Sequence, residues 1–344
     1  MKAVFKKDRK PGLVVDSAEV PTPSRDGEEA VLRVLATTIC GSDLHLWRWD
    51  RWAQETLTLP RIIGHEMAGE VVEVSPGVHA VKPGDFVSVE THFWDGTCPA
   101  CRLGLTHLCH DLRILGFDVD GCFAEYVKVP VRNLWKNDAA LRPEIASLQE
   151  PMGNAVYSAL ITNLAARTVS VFGAGPIGLM SCAVARAAGA TRIFVVEPNA
   201  YRLSFGEQMG ATDLVDPKET DPAEYILKHT DGAGADVFLE MSGAEAAYRD
   251  GFRSLRRGGI ASLLGIAPRE IKVDINHAVV LKGATVYGIH GRLIFQTWQE
   301  VSRLLGTGKV DLAPLITHRL PLEQVNDAME LLHTQSAMKI VLTP

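Results

Sequence analysis

Residues 168–197 constrain this chain more tightly than any other stretch. The β-branched run TVSVF is followed at once by Gly173-Ala174-Gly175-Pro176-Ile177-Gly178, then by the helical pattern LMSCAVARAAG, then by a second strand-like run, RIFVV, that ends at Glu197. Strand, glycine turn, helix and strand in that order make a βαβ unit with parallel strands. Gly173 permits the tight turn, Gly175 lets backbone N–H groups approach a pyrophosphate at the positive end of the helix, and Gly178 lets helix and strand pack closely. Glu197 falls where a carboxylate accepts hydrogen bonds from an adenosine ribose, and its charge repels a 2′-phosphate. The motif therefore points to NAD rather than NADP. Arg202, five residues on, either pairs with a phosphate or stacks on adenine.

Around this unit the pattern divides the chain. Up to about residue 135 short β-branched runs (AVLRVLATTIC, GEVVEVSPGV, GDFVSVE, FAEYVKVPV) alternate with Gly, Pro and Asp turn signals, which reads as a β-rich domain. Downstream of Glu197 the apolar runs DVFLEMSG, GIASLLGI and ATVYGIHG, with helical segments between them, extend a doubly wound parallel sheet. The tail carries helical patterns at Trp298/Val301/Leu305 and Val325/Ala328/Met329/Leu332 and ends in KIVL. Lacking a glycine loop, it is expected to return to the first domain. The boundaries predicted are 1–150 completed by 292–344, and 151–291.

At 344 residues and 47% hydrophobic, the chain has enough apolar material for two domain cores. A net charge of -6 without Lys/Arg blocks gives no electrostatic reason to bind nucleic acid or an anionic membrane. The apolar run behind the basic start is only Leu13-Val14-Val15, so a cytoplasmic location and a small-molecule substrate are expected. In that compartment six cysteines argue for metal or catalysis rather than disulfides.

Three of those cysteines, Cys98, Cys101 and Cys109, crowd into DGTCPACRLGLTHLC at C-x2-C-x7-C spacing. That leaves tetrahedral zinc one ligand short. A second, dispersed set holds Cys40 in TICGSDLH, His65 and Glu66 in IIGHEMAGE, and Glu150 in LQEPMGNA. A thiolate, an imidazole and carboxylates suit a catalytic zinc with an open position, although spacing alone does not bring them together. Singly, each also reads as a core cysteine, a turn histidine or a surface carboxylate. Trp47, Trp49 and Trp52 serve either packing or binding.

The order of these motifs, ICGSDLH, GHE, GDFVSVE, the cysteine lobe, GCFAEY and GAGPIG, resembles the zinc-dependent medium-chain alcohol and polyol dehydrogenases over nearly the whole chain. The resemblance implies an α/β chain: a GroES-like β-rich catalytic domain plus a Rossmann doubly wound parallel-sheet domain, with zinc in the cleft between them. It implies Cys40, His65 and Glu66 as zinc ligands, Glu150 as a carboxylate alternating with water or substrate, and Ser42 and His45 as a proton relay. His92 is expected to face the substrate. Leu264 and Ile289 are expected beside the cofactor with Gly173, Gly175, Ile177, Gly178, Glu197 and Arg202, and Arg292 is expected on cofactor phosphate or on a substrate carboxylate.

The same resemblance places Asp95 where the family's lobe has its first cysteine, giving a structural zinc held by Asp95, Cys98, Cys101 and Cys109. His92 or His107 as the fourth ligand, or a lobe without metal, stay open. The longer strings ICGSDLHLWRWDRWAQ, EPMGNAVYSAL and YGIHGRLIFQTW resemble the branch oxidising the secondary hydroxyl of L-threonine to 2-amino-3-oxobutanoate with NAD, and membership of the family implies a homotetramer, with the sheet-edge strand before Arg292 expected to pair between subunits. A polyol or sugar alcohol is the alternative, since Tyr157 stands where that branch commonly has histidine. A non-catalytic NAD-binding protein is a third reading, disfavoured by the intact zinc set.

Overall fold

The computed structural model describes all 344 residues, which separate into two compact units: Met1–Glu150 with Ile316–Pro344, and Pro151–Leu315. In the second unit six strands form one parallel sheet in the order Asp213–Val215, Arg192–Val196, Thr168–Phe172, Ala235–Glu240, Leu255–Leu263, Thr285–Gly288. The first β-strand of the glycine motif lies centrally, with strands added outward on both sides. That is the doubly wound order, and it opens a crevice at the carboxyl ends of the central strands. The near-continuous apolar runs reflect burial on both faces. Phe172, Phe194 and Phe238 are buried, and the rings of Phe172 and Phe238 meet edge to face at 5.3 Å.

The first unit is built on a seven-stranded sheet. Its path runs Leu134–Lys136, Phe86–Val89, Glu66–Val74, Glu29–Thr38, Lys339–Thr343, Ile316–Pro321, and Tyr126–Pro130 also pairs with Glu29–Thr38. Leu32, Met67, Val71, Val87, Phe123, Val127 and Ile340 fill its core. Two of its pairings join segments far apart in the chain. Thr38 lies opposite Glu66, and Val341 lies opposite Thr38, so the strand Glu29–Thr38 separates the chain's last strand from the strand that begins at Glu66.

The tail divides differently from expectation. Residues 316–344 do complete the first unit, but 292–315 belong with the second. The helix Gln296–Gly306 buries Trp298 and Val301 there, and Arg292 packs against Gly153, where a Cβ would come within 2.7 Å of the Arg292 side chain. The periodic pattern foretold the helix without saying which core its apolar face would join.

Candidate active site and metal centres

Cys40 ends the segment after the strand Glu29–Thr38 and caps the helix Gly41–Arg48. Its N–H is held by Asp43 Oδ2 at 2.9 Å. His65 comes directly after Gly64, whose φ of +93° favours glycine and whose imagined Cβ would fall 2.1 Å from the Phe123 ring. Glu66 begins the next strand. These three side chains, Cys40 being distant in sequence from the other two, bring one ligand atom each within 4.8 Å of one another.

The surroundings of this triad point each group inward. Asp43 is fully buried, and its Oδ1 lies 3.6 Å from His65 Nδ1, which leaves Nε2 for the centre of the triad. Glu66 is fully buried too. Lys339 Nζ donates to its two oxygens at 2.7 and 2.5 Å and to Ile39 O at 3.1 Å, and the Thr38 hydroxyl also donates to Glu66. Burial raises the Glu66 pKa and Lys339 lowers it, but the nearby charge of Glu150 adds to the upward push and the net shift is up. Burial works against charge on Lys339, yet Glu66, Cys40 and Glu150 outweigh it and raise that pKa as well. Likewise, burial opposes a charged His65, and Asp43 and Cys40 overcome it. The pattern is one of surplus negative charge around a soft donor, an imidazole and a carboxylate, which a divalent zinc would balance.

Glu150 stands outside this triad of ligand atoms. It is buried at the start of the helix Gln149–Ala159, where its Oε1 accepts from the Thr91 hydroxyl at 3.1 Å. His92 is also buried, with Nδ1 3.2 Å from Glu90 Oε1. Ser42 and His45 share the helix Gly41–Arg48 three residues apart, and His45 Nδ1 meets Asp50 Oδ2 at 2.5 Å while its ring stands edge-on to Trp52. Asp43, Thr38, Asp50 and Lys339 are the site residues that sequence reading missed. The acid three residues after Cys40 was a visible capping-box signal for Asp43; nothing local marks Lys339.

The lobe supplies a second cluster. Ligand atoms of Asp95, Cys98, Cys101 and Cys109 lie within 4.8 Å of one another, and neither His92 nor His107 joins them. Asp95 Oδ1 accepts from the backbone N–H groups of Thr97 and Cys98 at 2.6 and 3.0 Å. Those bonds from Cys98 and Thr97 bring the Asp95 pKa down to about 2 and leave its second oxygen for a cation. Backbone N–H groups also point at sulfur, His110 and Cys101 at Cys98 and Asp95 at Cys109. No cysteine is in a disulfide. An Asp/Cys3 set of this kind fits zinc.

In the second unit a cavity of about 290 Å³ opens over the glycine turn, lined by Gly173, Gly175, Glu197, Arg202, Met241 and Ser242 among others. The helix Pro176–Ala187 starts at Gly175 without any side-chain cap, so its first-turn N–H groups are left to an anion. Gly178 has no room for a side chain, since a Cβ would fall 1.9 Å from Gly173 O. Glu197 is buried and accepts from Ala174 N at 2.8 Å and Asn199 N at 2.9 Å, which orients the carboxylate at the cavity wall. Ile177, Leu264, Ile289 and Arg292 do not line this cavity; Ile289 and Arg292 are buried and Leu264 N bonds to Glu240 O. The turn, the open helix end and the carboxylate fit a dinucleotide.

Residues 176–307 match the zinc-binding dehydrogenase family and residues 26–139 match the alcohol dehydrogenase GroES-like domain. The chain belongs to the zinc-binding dehydrogenases. It is 45% identical over 345 residues to an L-threonine 3-dehydrogenase of Bacillus velezensis, covering 100% of this chain and 99% of that protein. Among solved structures it resembles 2R,3R-butanediol dehydrogenase from Bacillus subtilis at 31% identity, TM-score 0.89, covering 100% of this chain and 99% of the other. An Escherichia coli alcohol dehydrogenase complexed with NADH superposes with TM-score 0.91 at 27% identity, with the same coverage. The first unit is thus the GroES-like domain, and the second is the parallel-sheet domain of such a dehydrogenase.

Proposed function

We propose that this zinc-binding dehydrogenase uses NAD to oxidise the secondary hydroxyl of L-threonine to 2-amino-3-oxobutanoate. The observation that carries the reading is the 45% identity to an L-threonine 3-dehydrogenase across the full chain. Cys40, His65 and Glu66 would hold the catalytic zinc, with Glu150 as the movable carboxylate, and Asp95, Cys98, Cys101 and Cys109 would hold a structural one. A catalytic zinc supplies Lewis acidity that favours loss of the substrate's hydroxyl proton, and the nicotinamide supplies the hydride acceptor.

The chain's own groups do the rest. Asp43 fixes the His65 ring, while Lys339 and Thr38 hold Glu66. Ser42 and His45 carry the proton outward, and Asp50, bonded to Nδ1, keeps Nε2 as the atom that receives it. His92 shapes the substrate end, and Glu197 favours NAD over NADP. Arg292, being buried, serves as structural support more readily than as a phosphate ligand. The strand Thr285–Gly288 is exposed along an open sheet edge, with Val286 and Tyr287 outward, which supports assembly with further copies into a homotetramer. No helix is long and apolar enough to cross a membrane; a cytoplasmic enzyme acting on a small molecule is the accompanying proposal.

Butanediol and other polyols are the competing substrates, favoured by the likeness to 2R,3R-butanediol dehydrogenase and by Tyr157. Initial rates of NADH formation with L-threonine, butanediol and sorbitol, compared as kcat/KM, separate the two. A clear preference for L-threonine is expected; a preference for a diol would overturn the substrate while leaving the metal and cofactor proposals standing.

A further inference from the structure

Glu240 ends the strand Ala235–Glu240 and is fully buried beside the glycine turn, yet neither the metal centres nor the nucleotide cavity uses it. Its Oε1 gathers three donors from two residues just beyond it: Ser242 N at 2.8 Å, Ser242 Oγ at 2.6 Å and Gly243 N at 2.9 Å. The carbonyl of the same residue accepts from Leu264 N at 3.0 Å and Gly265 N at 3.2 Å, at the end of the neighbouring strand. One buried residue therefore ties together the two loops that leave adjacent strands. The packing leaves no slack, because a Cβ on Gly265 would sit 2.4 Å from Glu240 Oε2 and 2.2 Å from Gly243 N.

What Glu240 holds in place is the wall of the nucleotide cavity. Met241, Ser242 and Ala244 line that cavity together with Gly173 and Glu197. Ser242 presses on the turn itself, since a Cβ on Gly173 would meet Ser242 Cβ at 2.9 Å and Ser242 N at 3.2 Å. Met241 N donates to Phe172 O, the residue just before that turn. Force therefore passes from the carboxylate through Ser242 to the turn that receives phosphate. All three donors meet Oε1, and Oε2 is buried without a hydrogen-bond partner, so the burial cost of this carboxyl is offset only through the oxygen that holds Ser242 and Gly243.

We infer that Glu240 is a positioning residue for the cofactor: by clamping Ser242 against Gly173 and joining the 241–244 and 264–265 loops, it sets the shape of the adenosine and pyrophosphate side of the cavity. This rests on the proposal that the cavity binds NAD. It acts through Ser242 and the backbone and touches no reacting atom.

The test is equilibrium binding of ADP-ribose by calorimetry and of NADH by fluorescence to the zinc-replete full chain, together with steady-state kinetics and thermal denaturation. For Glu240→Ala both dissociation constants and the KM for NAD should rise by about tenfold or more, while kcat at saturating NAD falls far less. Glu240→Gln, which keeps an acceptor oxygen for Ser242 and Gly243, should recover most of the affinity. Gly265→Ala, whose methyl pushes the two loops apart, should weaken ADP-ribose in the same sense and serves if Glu240→Ala does not fold. Unchanged ADP-ribose affinity in a folded variant, or a loss confined to kcat or to melting temperature, would overturn the inference. Failure of the unaltered chain to bind ADP-ribose or NADH would instead overturn the NAD proposal beneath it.

Discussion

Lys339 is the sole cation bonded to the buried carboxylate of Glu66, and removing it strands a charge in a pocket already rich in anions. Breaking one partner of a buried pair costs about 3–5 kcal/mol. Lys339→Met should therefore lower stability by about that amount in denaturant titrations of metal-stripped protein, and Lys339→Met combined with Glu66→Gln should recover part of it. A single variant as stable as the parent would show that Glu66 is neutral in the fold. In the lobe, Asp95→Ala should drop the zinc content by one ion per chain while the catalytic rate is largely kept. Metal analysis that still finds the parental zinc count would remove Asp95 from the ligand set. The residues bearing motifs, Cys40, His65, Glu66 and the lobe cysteines, were legible from their neighbours in sequence. Lys339 was not, because its role exists only through a strand pairing across some three hundred residues of chain.

Between elements, Asp236 shows how the parallel sheet is fastened at one end. It accepts from Thr168 N at 2.9 Å, Thr168 Oγ1 at 2.7 Å and Arg256 Nε at 2.6 Å, linking the strands Thr168–Phe172, Ala235–Glu240 and Leu255–Leu263. Burial alone would raise its pKa, but the Thr168 and Arg256 bonds outweigh it and the folded value lies below the ordinary 3.8. A carboxylate with a depressed folded pKa stabilises the fold above its unfolded pKa, and the contribution disappears as pH falls through the folded value. Asp236→Asn should accordingly cost roughly 1–2 kcal/mol near neutral pH, discounted for partial exposure, and that cost should shrink as pH falls below the ordinary carboxylate value and through the depressed folded one. A penalty that stays constant with pH would mean shape, not charge, matters there. Strands and helices were readable from period and turn residues, and the predicted KIVL strand and both tail helices form. The assignment of 292–315 failed because an amphipathic helix reveals that it has an apolar face but not whose core covers it.

Across the whole molecule, both metal-type clusters sit in the unit that the chain's two ends build together. Deleting residues 334–344 would remove both Lys339 and the strand that joins Ile316–Pro321 to the rest of the seven-stranded sheet. Such a truncation should lose soluble yield and retain no zinc; a soluble, zinc-replete product would show that the closing strand is dispensable. Zinc-dependent oxidation of L-threonine is best tested by the L-threonine-dependent rate of NADH formation before chelation, after chelation, and after zinc is returned. The rate should fall to background when the zinc proposed at Cys40, His65 and Glu66 is stripped and recover when zinc is restored. An undiminished rate in protein shown by metal analysis to be free of zinc would contradict a zinc-dependent oxidation.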